Sequence, residues 1–143
     1  AHVASDLNSD LVKKVCVTPA NVNDGVGGCD LVPDDPGEVF ADSAYRGARF
    51  RAAVASRGGT ARVIASHVWA RSEAEATLAL KAINGPIHKV RGRIEKIFGT
   101  WKRSWGLRQI PYVGLAKATL HILLTAMAWN LKRGLSLAGA ATP

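Results

Sequence analysis

Apolar and polar positions alternate at the start of the chain and change period further along. Two extended segments, Ala1 to Asp6 and the β-branched Leu11 to Val17, flank the turn-forming cluster Leu7-Asn8-Ser9-Asp10. They predict a β-hairpin ending at Thr18-Pro19, where proline cannot donate to a ladder. Asn21 to Gly37 is dense in Gly, Pro, Asn and Asp, so a loop is expected, with at most a short helix near Gly28 to Val32. The run Glu38 to Asp42 predicts a buried strand closing on an acid, and Ser43 to Gly47 a turn. Ala48 to Ser56 suits a helix with Phe50 and Val54 one turn apart, stopped by Gly58-Gly59, and Ala61 to Ala65 suits a fourth strand.

The rest of the chain has helical period. Ser72 with Glu75 fits a capping box and predicts a helix towards Asn84, where Asn84-Gly85-Pro86 should break it. A helix from Ile87 to Ser104 follows and stops at Gly106. The last, Leu115 to Arg133, reads as a core helix with the apolar stripe Leu120, Leu123, Leu124, Met127 and Leu131. Residues 134–143 read as a loose tail of mostly small residues.

Composition narrows the class. A chain of 143 residues, 48% hydrophobic and 21% charged, is expected to form one folded domain over residues 1–133, which excludes a disordered tail or a collagen-like repeat. The charge-free stretch Ala118 to Leu131 is shorter than the roughly 20 residues a bilayer span needs, so no membrane partner is expected. Cys16 and Cys29 make no CxxC pair and encode neither a disulfide framework nor a zinc ribbon, which points to the cytoplasm. The start at Ala1, without Met or a basic-then-apolar leader, reads as a fragment with no secretory signal.

Charge gives the first functional direction. Residues 1–47 hold three Lys or Arg against eight acids, whereas the remainder holds 16 against three. Such an asymmetry suggests that the second part faces a polyanion, with DNA the expected partner. Lys89 to Arg108 contains seven cations around one carboxylate, Glu95. On a helix, His88, Arg91, Glu95 and Lys102 fall within about 60° of one face. Arg91 and Glu95 could equally be an ordinary i,i+4 pair worth a few tenths of a kcal/mol. Asp42 adds weight to a site, because open sheets collect catalytic groups at the carboxyl ends of strands. Its alternative is an Asx-turn residue shaping Ser43 to Gly47.

Three motifs in order carry a family resemblance: Thr18-Pro19-Ala20-Asn21-Val22-Asn23-Asp24, Phe40-Ala41-Asp42-Ser43-Ala44-Tyr45-Arg46-Gly47, and Arg91-x3-Glu95-x6-Lys102. Together with Arg108-x5-Gly114-Leu115-Ala116-Lys117 and the apolar helix after it, they resemble the catalytic domain of bacterial insertion-sequence DDE transposases over Ala1 to Arg133. The family signature is Tyr-x2-Arg-x3-Glu-x6-Lys, and His88 stands here in the Tyr position. The resemblance implies an α/β, RNase-H-like mixed sheet flanked by helices and incomplete at the amino end. It also implies Mg2+ (or Mn2+) as cofactor, and double-stranded DNA, as transposon ends and target, as substrate.

By the same resemblance, Asp42 and Glu95 are the second and third acids of the catalytic triad and both ligate metal, while the first acid belongs upstream of the Ala1 to Asp6 segment. Asp6 matches a hairpin acid of the family, and its use as a substitute ligand is a secondary alternative. His88, Arg91, Lys102 and Arg103 are the expected nucleic-acid contacts. The implied chemistry is two-metal cleavage of the element's ends, then attack of the freed 3′ hydroxyl on target DNA, with a homo-oligomer possible in the DNA complex. The isolated chain, lacking one acid, is expected to be inactive and to leave a sheet edge unpaired. A non-catalytic basic DNA-binding remnant and a metal-dependent nuclease of the same fold are the competing readings.

Other residues are weighed as packing. Trp101 and Trp105, one turn apart, could stack on unpaired bases but are expected to pack against the last helix, and Trp69 and Trp129 are assigned to packing too. His2, His67 and His121 lack ligand spacing, and neither Gly27-Gly28 nor Gly58-Gly59 forms a phosphate loop.

Overall fold

A computed structural model of the chain describes residues 1–19, 21–22 and 27–140. Ala20, Asn23 and Asp24 of the first motif and residues 141–143 of the expected tail lie outside the described residues. The elements are strands β1 (His2–Ser5), β2 (Val12–Cys16), β3 (Glu38–Ala41) and β4 (Thr60–Val63), with helices α1 (Ala48–Ala55), α2 (Glu73–Ser104) and α3 (Leu115–Ala140). Short 3-10 turns occupy Gly28–Leu31 and Ser43–Tyr45. The fold is mixed α/β, and the contacts gather it into two compact units, residues 1–22 with 93–143, and residues 23–92. Each described sheet has two strands, so each strand pairs on one side only.

In the first unit, β1 and β2 form the expected antiparallel hairpin, with Val3 opposite Val15 and a register irregularity between Ala4 and Ser5. Asp6 shapes the turn: its carboxylate accepts from the Asn8 amide at 3.1 Å, the Ser9 amide at 2.8 Å and the Ser9 hydroxyl at 2.6 Å. Asp10 closes the turn at φ +57°, a left-handed conformation that Asp tolerates better than most residues. Two arginines fasten this loop. Arg93 pairs with Asp10 at 2.9 Å and donates to the Leu7 carbonyl, while Arg133 pairs with Asp10 at 3.3 Å and donates to the Ser9 carbonyl at 2.7 Å.

Helix α3 docks on the hairpin through polar as well as apolar groups. The Asn130 amide takes both backbone groups of Val12, accepting from its N–H at 2.7 Å and donating to its carbonyl at 2.8 Å. Trp129 Nε1 donates to the Asp10 carbonyl at 2.9 Å. Val12, Ile97, Trp101, Ile122 and Ala126 form the buried core, with Trp105 tilted against Trp129 at 5.9 Å between ring centroids. Packing is therefore the role that Trp101, Trp105 and Trp129 take.

The apolar stripe read as the core face of the last helix is on the other side. Ile122, Thr125 and Ala126 are buried, whereas Leu124, Met127 and Leu131 are 54%, 66% and 69% exposed. Both faces are apolar, so periodicity could not choose between them; the Asn130 and Trp129 hydrogen bonds to the hairpin select the face that turns inward. The helix also passes Arg133 and continues to Ala140, which makes residues 134–140 helical instead of loose. Gly134 costs only about 1 kcal/mol relative to Ala in a helix interior, too little to stop it unaided.

In the second unit, β3 and β4 are parallel with Val39 opposite Ala61 and Ala41 opposite Val63, and α1 lies in the crossover that a parallel pair requires. Val32, Phe50, Val54 and Val63 form its core. Gly28 is needed for close packing, since a Cβ there would sit 2.3 Å from the Tyr45 ring. Gly58, at φ +80°, ends α1 and lets the Gly59 amide return to the Val54 carbonyl at 3.0 Å.

The expected break at Asn84-Gly85-Pro86 does not occur. Helix α2 begins at the Ser72 cap, whose hydroxyl accepts from the Glu75 amide at 3.2 Å, and runs unbroken to Ser104 with Pro86 inside. Proline there removes a hydrogen bond and costs about 3 kcal/mol. Asn84 supplies the opposing attachment: its side chain donates to the Ala65 carbonyl and accepts from the Ala65 amide, both at 2.9 Å. A residue that reads as a helix breaker is thus a clamp onto the segment after β4.

Candidate active site

Asp42 stands at the carboxyl end of β3 because the strand's apolar residues run out there and a 3-10 turn begins. Its Oδ1 accepts from the Ser43 amide at 2.6 Å and the Ser43 hydroxyl at 3.2 Å, and its carbonyl accepts from the Tyr45 amide at 2.9 Å. The turn-capping alternative is therefore real. Oδ2 serves a different group, accepting from the Arg91 guanidinium on α2 at 3.1 Å. The Asp42 side chain is 47% exposed and that of Arg91 18%, so the acid stays accessible from solvent while the cation is mostly enclosed. Arg46, at the end of the turn, donates to the Ser66 hydroxyl at 3.2 Å and joins the loops that leave β3 and β4. His88 lies one turn before Arg91 on α2 and is exposed.

Glu95, Lys102 and Arg103 belong to the first unit and sit on the last turns of α2, all exposed. Glu95 and Lys102 line an open depression of about 610 Å³ whose floor is apolar, with Phe98, Leu107, Ile110 and Ile122. The spacing 95, 98 and 102 puts these side chains on one helix face. Arg103 folds back along the helix over Gly99, where a Cβ would come within 3.0 Å of its guanidinium.

Part of the basic cluster is structural. Arg91 holds Asp42, and Arg93 holds the hairpin turn through Asp10 and Leu7. Lys89, Lys96, Lys102, Arg103 and Arg108 keep exposed positions suited to phosphate contact. Asp6 acts in its own turn, and the Ser9 hydroxyl, followed by the Ser9 and Asn8 amides and the charge of Lys13, lowers its pKa. Trp69, assigned to packing from sequence, is 94% exposed, because the loop between β4 and α2 carries it outward. One contributor escapes sequence reading: Asn84, whose neighbours Gly85 and Pro86 point the other way, whereas the Asx-turn alternative at Asp42 already includes Ser43.

Hard oxygen donors are the ligands that Mg2+ takes, and carboxylates such as Asp42 and Glu95 have that chemistry. Among the described residues, no group of three or more His, Cys, Asp or Glu side chains is arranged to hold a metal ion. Nor is any described helix long and apolar enough to cross a membrane.

Comparison with known proteins supports the family resemblance. The family model for the transposase DDE domain matches residues 1–131. No curated protein and no solved structure matches. The match includes every residue from the hairpin through Asp42, Arg91 and Glu95 to Leu131, and the chain belongs to the transposase DDE domain family.

Proposed function

We propose that this chain serves DNA transposition as part of a bacterial, cytoplasmic, RNase-H-like catalytic domain that cleaves transposon ends and joins a 3′ hydroxyl to target DNA; residues 1–133 supply two of its acids and the isolated chain is inactive. The family as a whole acts in transposition on DNA and normally uses divalent metals. In this reading Asp42 and Glu95 are the carboxylates that the chain contributes to Mg2+ or Mn2+ binding. His88, Arg91, Lys102 and Arg103 contact phosphates, positioning the backbone without reading sequence. The observation that carries the reading is the family match over residues 1–131, which includes both acids. The described residues do not make a complete metal site by themselves.

The test is nicking and strand transfer on DNA carrying the element's ends, with Mg2+ or Mn2+ and the protein as encoded. Asp42→Asn and Glu95→Gln should each abolish both reactions while leaving DNA binding intact. Metal-independent cleavage, or full activity in either variant, would refute the assignment.

A second reading is favoured by the absence of a three-residue ligand group among the described residues, and by the donors already on both Asp42 oxygens. It is a non-catalytic basic module that holds duplex through phosphates alone. Its affinity should fall with salt at a slope near −0.9 per phosphate neutralised, as counterions are released. Mg2+ and Glu95→Gln should then change nothing.

A further inference from the structure

Helix α2 ends at Ser104 and α3 begins at Leu115, and the loop 105–114 between them carries an apolar tip into solvent. Ile110, Tyr112, Val113 and Leu115 are 36%, 53%, 92% and 46% exposed, and every residue from Arg108 to Lys117 is exposed. The loop is fastened at both ends. Gly106, at φ +72°, lets the Leu107 amide return to the Trp101 carbonyl at 3.0 Å, and Gly114, at φ +101°, accepts from the Ala118 amide at 3.1 Å. Leu107 packs on the core of Ile97, Trp101 and Ile122, and the Tyr112 ring stands edge-on to His121 at 5.6 Å between centroids. Scattered apolar residues on a surface are ordinary, but a cluster on a fastened loop marks a contact surface.

Charge names the occupant. Glu95 is the last acidic residue of the chain, and seven Lys or Arg residues follow it, with Arg108 and Lys117 on either side of the tip. A polyanion complements such a segment. An apolar tip flanked by cations is also how minor-groove proteins part a base step, the cations holding the backbone while the apolar side chains replace lost stacking. Pro111 suits a tip of this kind, because it brings no N–H to be stranded between bases away from water.

We propose that the loop 105–114 is a DNA wedge. Tyr112 and Val113 enter the minor groove and open a base step, Arg108 and Lys117 hold phosphates on either side, and the duplex bends where the loop engages it. Easily unstacked pyrimidine–purine steps are the preferred points of entry. This inference rests on the reading that the chain works on DNA, and adds to it a segment that deforms the duplex.

The test measures binding of the purified chain, by fluorescence anisotropy, to a short intact duplex and to the same duplex with a central bulge. A bulge spares the cost of unstacking, so it should bind about tenfold tighter. Energy transfer between dyes on the two ends of the intact duplex should report a bend. The double variant Tyr112→Ala, Val113→Ser should lose both the preference and the bend with unchanged circular dichroism. Val113→Ser, at a position that is almost fully solvated, should by itself reduce both, and Tyr112→Phe should keep both. Arg108→Gln and Lys117→Gln should weaken binding to the two duplexes alike, each lowering the salt slope by about one. A parent without the preference or the bend, or a double variant that retains them, would overturn the wedge and leave the DNA reading standing. A parent that binds neither duplex would overturn both, and so would one that ignores DNA and binds anionic lipid vesicles through Tyr112 and Val113.

Discussion

Arg91 donates to Asp42 Oδ2 at 3.1 Å, from a position 49 residues further along the chain. The same acid caps the turn after β3 through Oδ1, so its two oxygens hold different parts of the second unit. A cation arriving at this edge meets a half-exposed carboxylate whose Oδ2 already accepts from Arg91 and keeps acceptor capacity beyond that bond.

Arg91→Gln should remove the ion pair without disturbing the Ser43 cap. The charged hydrogen bond would be worth about 1.5–3 kcal/mol if enclosed, but the half-exposed acid reduces this to about 1 kcal/mol through solvent screening. A double-mutant cycle with Asp42→Asn in urea should return a coupling of that size. Additive single effects would show that the pair contributes nothing.

Asn84→Ala should cost more, about 2 kcal/mol, since it strips both backbone groups of Ala65 of their partners beside a helix already weakened by Pro86. Hydrogen exchange should accelerate at the Ala65 amide and around residues 82–88. Unchanged protection there would mean that the helix holds its proline turn without the clamp.

Arg91 and Asn84 mark where the sequence stops being legible. The hairpin, the β3-α1-β4 order and the Ser72 cap follow from local pattern, and the structure has them all. Pro86 and Asn84 misled because a clamp to a distant backbone segment is invisible to local propensity. The direction of α3 was hidden for another reason: two apolar faces leave period without a preference, and Asn130 and Trp129 decide it through contacts about 120 positions away. At the candidate site, the acid at the end of β3 was readable from the apolar run before it, whereas its arginine partner was not, because Glu95 offered Arg91 an equally plausible companion.

The hairpin turn should respond to acid. Hydrogen bonds from Ser9 lower the Asp6 pKa from its ordinary value of 3.8, so the folded state binds this proton less readily than the unfolded state. The resulting stabilisation is complete above the ordinary value and disappears as pH falls through the lower folded one. Asp6→Asn should flatten that part of the stability-against-pH curve, and Ser9→Ala should move its midpoint upwards, by thermal melts taken in acid buffers. A parent curve already flat there would contradict this account.

The tryptophans should separate cleanly. Trp69→Phe removes an exposed ring and should change stability by less than about 0.5 kcal/mol, while deleting the red-shifted, iodide-quenchable part of the fluorescence. Trp101 is 0% exposed, and Trp101→Ala should cost about 3–5 kcal/mol by opening the core. Strong quenching that persists in the Trp69 variant would place the accessible ring elsewhere.

Parallel pairing of β3 with β4 has one last effect. Both strands finish at the same rim, so the segments 42–47 and 64–72 issue side by side, while Val32, Phe50, Val54 and Val63 stay behind them. Along that rim Asp42, Tyr45 and Arg46 tie the first segment to Arg91, Phe50 and Ser66, while Ala65 and Ser72 tie the second to α2, so the exposed stretch around Trp69 is where an insertion would disturb the scaffold least.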